Sequence, residues 1–173
     1  MVTTTLEAWQ LIPKENEKTR MIVQASSQNG HDDWQTFPIG MSWQFVQLYR
    51  HVEYPWRGRH DRLVLCAISS HTDKKRRGPG GRQLFLQHLS MNSIPNQSLS
   101  AQDYFESLPH YQFVISPEGN GVDCHRHYEA LMAGCIPIME ENQEVQQKYK
   151  GCPILWTQNY HRLFNKKIPG NEG

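Results

Sequence analysis

Phe113-Val114-Ile115-Ser116-Pro117-Glu118-Gly119-Asn120-Gly121-Val122-Asp123-Cys124-His125-Arg126-His127-Tyr128-Glu129-Ala130-Leu131-Met132-Ala133-Gly134 is the stretch that decides the fold. Three apolar residues ending at Ile115 read as a buried strand. The glycines bracketing Asn120 read as a turn, because glycine allows unusual backbone angles and the close approach of a ligand. From Asp123 the spacing changes to that of a helix, predicted over 123–133 with Gly134 as its stop. A strand, a glycine turn and a helix start in that order offer free N–H groups and the positive end of a helix dipole to a phosphate.

Outward from this unit, strand and helix candidates alternate. Upstream, Leu63 to Ile68 is a continuous apolar run suited to a buried parallel strand, followed by a polar loop over 69–81. Leu84 to Leu89 reads as helical, and Ser100-Ala101-Gln102-Asp103 resembles a capping box opening a helix through Tyr104, Phe105 and Leu108. Further back, Met21-Ile22-Val23 and Phe37-Pro38-Ile39-Gly40 are short apolar runs, and Ser42 can cap a helix through Trp43, Phe45, Val46 and Tyr49. Downstream, Ile136 to Met139 is a strand whose Pro137 argues for a strand beginning or an edge. A helix over 144–149 and a strand over 154–156 close the series. Such alternation predicts an α/β fold, a Rossmann-like parallel sheet with helices on both faces, with ligands bound outside the carboxyl ends of the strands. The domain is expected over 1–163, with a polar tail over 164–173.

On the 123–133 helix, Cys124, Tyr128, Leu131 and Met132 share one face, read as core. Arg126, Glu129, Ala130 and Ala133 share the other, where a cation and a carboxylate stand one turn apart beside small residues. Arginine presents a planar, permanently charged fork to phosphate. Glutamate can accept hydrogen bonds from the two hydroxyls of a ribose. The plain alternative for that pair is an i,i+3 ion pair worth a few tenths of a kcal/mol.

Taken together, the strand at 113–115, the run Ser116 to Gly121, Asp123, His125-Arg126, Glu129-Ala130-Leu131 and Gly134-Cys135-Ile136-Pro137-Ile138 resemble the C-terminal half of exostosin-like glycosyltransferases. Weaker resemblance runs back through Tyr104-Phe105 and Leu63 to Phe37. The resemblance implies one half of a GT-B enzyme, the half that binds a nucleoside diphosphate sugar. It implies that Glu129 holds the ribose, that Arg126 contacts the phosphates or the donor sugar, and that Ser116 and the backbone of Gly119, Asn120, Gly121 and Asp123 line the diphosphate. Glu118 would sit near the transferred sugar. Ten residues stand between Glu118 and Glu129, more than in the usual donor-site pair of this fold, because the turn is longer. A whole GT-B enzyme has two such halves, and this chain's length suits one.

The basic loop Lys74-Lys75-Arg76-Arg77 follows the first long strand and falls at the same sheet edge. In the family a basic residue there neutralises the diphosphate, and Arg77 or Arg82 is the choice. No Asp-x-Asp motif occurs, so the expected site is metal-independent, with the donor sugar nucleotide as substrate and no other cofactor. Cys124-His125-Arg126-His127 is a poor chelate, since adjacent helical positions point apart. His125 is the candidate general base, with His127 beside it. Trp34, Trp43, Trp56 and Trp156 read as core or interface rather than sugar platforms.

Composition bounds the function. A formal net charge of +1 over 173 residues argues against a nucleic-acid partner. No apolar run is long enough for a membrane span, and Met1 to Gln10 lacks the pattern of a secretory signal. Four widely spaced cysteines then read as free thiols, and the expected compartment is cytoplasmic. Two readings follow. One is a glycosyltransferase domain acting on a glycan or protein hydroxyl. The other is a non-catalytic sugar-nucleotide-binding module or half-enzyme that works with a partner domain or as a homodimer.

Overall fold

A computed structural model describes residues 22–25, 34–53, 56–72, 81–158 and 160. The expected tail over 164–173, the run Lys74 to Arg77, and Met21 lie outside the described residues.

Two strands, β1 (Ile22–Ala25) and β2 (Trp34–Phe37), pair in parallel as a small separate sheet. The second ends at Phe37, so the 37–40 run is not a strand: Pro38 has no N–H to give a ladder, and Gly40 takes a φ of +70°. Helix α1 (Trp43–Tyr49) starts where Ser42 was expected to cap it, with the Ser42 hydroxyl accepting the Phe45 N–H. Strand β3 (Arg62–Leu65) follows, then α2 (Gly81–Met91) and α3 (Ala101–Ser107). Ser100 caps α3 as expected, accepting the Asp103 N–H at 3.1 Å, while the Asp103 carboxylate takes the Ser100 hydroxyl at 2.6 Å in place of the backbone N–H that a full capping box engages. A 3₁₀ turn over Leu108–His110 leads into β4 (Tyr111–Ile115), and α4 (His125–Met132), β5 (Ile136–Glu140), α5 (Gln143–Lys148) and β6 (Leu155–Thr157) complete the fold.

The main sheet is parallel throughout, in the order β3-β4-β5-β6. Leu65 and Val114 face one side and pack with Phe45 of α1, Tyr104 and Phe105 of α3, and Ala130 of α4. Val64, Phe113, Ile115 and Ile138 face the other side and pack with Phe85 and Leu89 of α2. A third cluster joins Val122 and Met139 to Val145 of α5 and to Tyr149. Helices therefore cover both faces, as a parallel sheet demands. Pro137 is the second residue of β5, an interior strand and not an edge; it stands opposite Val114 close to where the ladder begins, so its missing donor costs little there.

Helix α4 begins at His125, two residues later than the sequence spacing predicts, with Cys124 as the extended N-cap. Its two faces are not divided into core and site. Glu129, Ala130 and Ala133 are all buried, whereas Met132, expected in the core, is exposed. Gly134 ends the helix with a φ of +78°, and a Cβ there would stand 2.8 Å from the Trp56 carbonyl oxygen.

Candidate functional site

The carboxyl ends of β3 and β4 deliver two loops to one edge, residues 66–72 and 116–124. Arg82, in the first turn of α2, ties them together. Its guanidinium donates to the Ser69 carbonyl at 3.0 Å and to the Thr72 hydroxyl, and on its other arm to the Glu118 carbonyl. The side chain is buried, so these bonds form out of water, where charge-assisted contacts are strongest. Asn96 fixes the first loop from the sheet edge: its side-chain oxygen accepts the Ile68 N–H at 2.8 Å and its amide donates to the Ile68 carbonyl at 2.9 Å.

Within the second loop, Ser116 extends β4, donating its N–H to Ile138 O at 3.0 Å. Its buried hydroxyl lies 2.7 Å from His127 Nδ1, and His127 Nε2 lies 3.3 Å from the Val122 carbonyl. A carbonyl only accepts, so Nε2 carries the proton and the Ser116 hydroxyl donates to Nδ1. Burial pushes the His127 pKa down to about 4, against a smaller opposing pull from Asp123. The neutral ring thus staples both ends of the 116–122 loop. At the loop's centre Gly119 donates its N–H to Gly121 O at 3.0 Å and to Cys124 Sγ at 2.9 Å. That N–H is occupied within the turn. Burial pushes the Cys124 thiol up to about 11, so it stays protonated.

Asp123 has turned inward. Its carboxylate accepts from Tyr149 OH at 2.7 Å, Tyr128 OH at 2.9 Å, Lys148 Nζ at 2.9 Å and Ile39 N–H at 3.2 Å. Burial alone would raise its pKa. The bonds from Tyr149 and Lys148, the ammonium charge and the Ile39 N–H outweigh that and hold it below the usual carboxylate range. Asp123 therefore anchors the loop.

The segment 39–42 crosses the start of α4 as a strap. Besides Ile39 on Asp123, Gly40 O lies 2.7 Å from His125 Nδ1 and the Ser42 N–H donates to Glu129 Oε1 at 3.1 Å. His125 is exposed. Its Nδ1 carries the proton donated to the carbonyl, which leaves the Nε2 lone pair as the acceptor. Arg126 is half-buried with its guanidinium carbon 4.4 Å above the centroid of the Tyr104 ring. Its Nη1 has no hydrogen-bond partner. The alternative of an ion pair between Arg126 and Glu129 is not realised: one turns to Tyr104 and the other to Ser42. Burial pushes the Cys66 thiol up to about 12, against smaller opposing pulls from Arg126 and Arg82. Asn120 is exposed at the tip of the turn.

The structure thus brings Ser116, Glu118, Gly119, Gly121, Arg82, Arg126 and Glu129 to one end of the sheet, while Arg77 lies outside the described residues. Sequence reasoning missed the staple by His127, the strap and the Tyr128–Lys148–Tyr149 anchor. Of these only the first left a signal, a histidine eleven positions after a serine at a strand end. All four cysteines are free. Among the described residues no group of three or more His, Cys, Asp or Glu is placed to hold a metal ion, and no helix is long and apolar enough to cross a membrane.

A parallel α/β half-domain with this loop–helix edge is the C-terminal half of an exostosin-like glycosyltransferase. The family model of the RXYLT1 C-terminal domain matches residues 81–168, and the chain belongs to that family. No curated protein matches the chain.

Proposed function

We propose that the chain is the donor-binding half of a GT-B glycosyltransferase, taking a nucleoside diphosphate sugar at the edge formed by the 66–72 and 116–124 loops. The observation that carries this reading is the tie of the two edge loops by the Arg82 guanidinium beside the glycine turn, with Arg126 in the first turn of the helix that follows. Two fixed cations offset the charge that builds on a departing diphosphate. Glu129, buried with one oxygen on the Ser42 N–H, is the candidate partner of the ribose hydroxyls. Arg126 is the second candidate cation, its buried Nη1 without a hydrogen-bond partner above the Tyr104 ring. Glu118 stands near the transferred sugar. In the reaction the acceptor hydroxyl of a glycan or protein attacks the anomeric carbon, the bond from that carbon to the diphosphate breaks, and the hydroxyl proton passes to His125 Nε2. The tautomer fixed by Gly40 supports that last role. With no Asp-x-Asp motif in the sequence, the arginines take the charge-neutralising part and the binding needs no divalent ion.

Calorimetry with a panel of nucleoside diphosphates and their sugars tests this, with and without EDTA. At least one should bind in both conditions. Glu129→Ala and Arg126→Ala should each weaken it by about 1–3 kcal/mol, the cost of leaving buried polar partners unmatched. Binding by none of the panel, affinity unchanged in both variants, or affinity that needs manganese would sink the respective part of the reading.

A further inference from the structure

The two arginines of the candidate site are held in different ways. Arg82 commits its guanidinium to protein acceptors, the Ser69 carbonyl, the Thr72 hydroxyl and the Glu118 carbonyl. Arg126 does not. Its guanidinium carbon stands 4.4 Å from the centroid of the Tyr104 ring, its Nη1 has no hydrogen-bond partner, and among the described residues it enters no ion pair. Yet Glu129 lies three positions on along the same helix, the spacing of an ordinary i,i+3 ion pair. That carboxylate is buried and takes the Ser42 N–H instead. A long cation beside a carboxylate ordinarily pairs with it, so something holds Arg126 away.

Tyr104 is built for that part. It lies in the first turns of α3, where its N–H donates to the Ser100 carbonyl at 2.9 Å. Its ring is buried and stands edge-on to Phe105 at 5.6 Å, and Phe105 is in turn edge-on to Phe45 at 5.4 Å. The Phe105 carbonyl accepts the Tyr49 hydroxyl at 2.8 Å. The core therefore fixes the ring from α1 and α3, and Arg126 of α4 lies over its face. The Tyr104 hydroxyl has no hydrogen-bond partner, so the contact is made by the ring. A guanidinium held by an aromatic face is attracted to it without giving up its N–H groups.

We propose that Tyr104 is a positioning residue for Arg126, its ring holding the guanidinium off Glu129 so that the cation stays available to an anionic oxygen of the ligand. That the ligand is a nucleoside diphosphate rests on the function proposed above; the hold on the guanidinium does not. Removing the ring returns Arg126 to its many rotamers and lets it fall onto Glu129, so that both its orientation and its free charge are lost.

Side-chain NMR of the full chain, with calorimetry using inorganic pyrophosphate and a panel of nucleoside diphosphates, tests this. The samples are the parent, Tyr104→Phe, Tyr104→Leu, Arg126→Ala and the double variant Tyr104→Leu with Arg126→Ala, each checked for folding by urea titration. In the parent and in Tyr104→Phe the ring should shift the Arg126 side-chain protons upfield, and in Tyr104→Leu that shift should vanish. Tyr104→Leu should weaken binding roughly tenfold and Tyr104→Phe by less than about twofold. In the Arg126→Ala background Tyr104→Leu should have little further effect, which a merely structural role would not produce. The proposal is overturned by the absence of the upfield shift in the parent, a result that needs no variant to fold. It is also overturned by an Arg126 held unchanged in Tyr104→Leu, by a loss in Tyr104→Phe as large as in Tyr104→Leu, or by an equal loss from Tyr104→Leu with and without Arg126. If no probe binds, or Arg126→Ala binds as the parent does, while the shift is present in the parent and gone in Tyr104→Leu, the hold on Arg126 stands and the donor-site reading of that arginine falls. Binding that depends on Arg126 but not on Tyr104 does the reverse.

Discussion

The neutral His127 ring makes stability depend on pH in a window of its own. Its pKa falls from 6.5 in the unfolded chain to about 4 in the fold. Above 6.5 neither state holds the proton. Between 6.5 and about 4 the unfolded chain binds a proton that the folded chain refuses, so stability drops as the pH falls. At about 1.4 kcal/mol for each tenfold step, the full gap is worth about 3 kcal/mol, a sizeable part of a net stability of about 5–15 kcal/mol. Asp123 acts in a different window. Its folded pKa is depressed, so its contribution is complete above the ordinary carboxylate range and is lost only as the pH falls through the folded value. Urea unfolding of the parent and of His127→Gln at intervals from pH 7.5 to 4.5 separates the two. The variant should be less stable at pH 7.5, because the Ser116 and Val122 bonds are disturbed, and should show a flatter decline below 6.5. A decline as steep in the variant as in the parent, or an NMR titration placing His127 near 6.5, would refute the reasoning.

Asp123→Asn keeps the shape but leaves four donors facing an amide, and should cost about 3–5 kcal/mol by urea titration, with hydrogen exchange accelerating at Ile39; a loss under about 1 kcal/mol would contradict the anchor. Arg82→Lys keeps the charge but cannot reach Ser69, Thr72 and Glu118 together, so amide exchange should rise in both edge loops while the midpoint of unfolding moves modestly; unchanged exchange at 116–122 would show that the tie does not hold that loop. Gly134→Ala places a methyl group against the Trp56 backbone at a positive φ, and a loss of about 1–3 kcal/mol by thermal unfolding is expected.

Local chemistry was legible in the sequence, and long-range closure was not. Ser42, Ser100 and Gly134 announce helix ends because capping depends on neighbours within four positions. The parallel sheet followed from apolar runs spaced by helices. Glu129 was expected on an open face because periodicity separates the sides of one helix and says nothing of what covers them. Here α1 and α3 supply a second apolar layer, and the carboxylate ends under it. The strap was hidden for a similar reason: Ile39, Gly40 and Ser42 find partners 84, 85 and 87 positions away, beyond any pattern of spacing. Asp123 illustrates both sides, since a helix start close to it was foreseen while the helix begins two residues later and its side chain bonds away from the edge.

The strap also bears on where this domain can be cut. The matched family segment spans 81–168, but a polypeptide trimmed to that segment would lose β3, the edge of the main sheet, and with it the pairing partner of β4. It would also lose the backbone groups that meet Asp123, His125 and Glu129. An exposed, unpaired β4 is an invitation to aggregate. For this chain, a piece that keeps those three contacts reaches back at least to Ile39, ahead of the boundary that the matched segment draws.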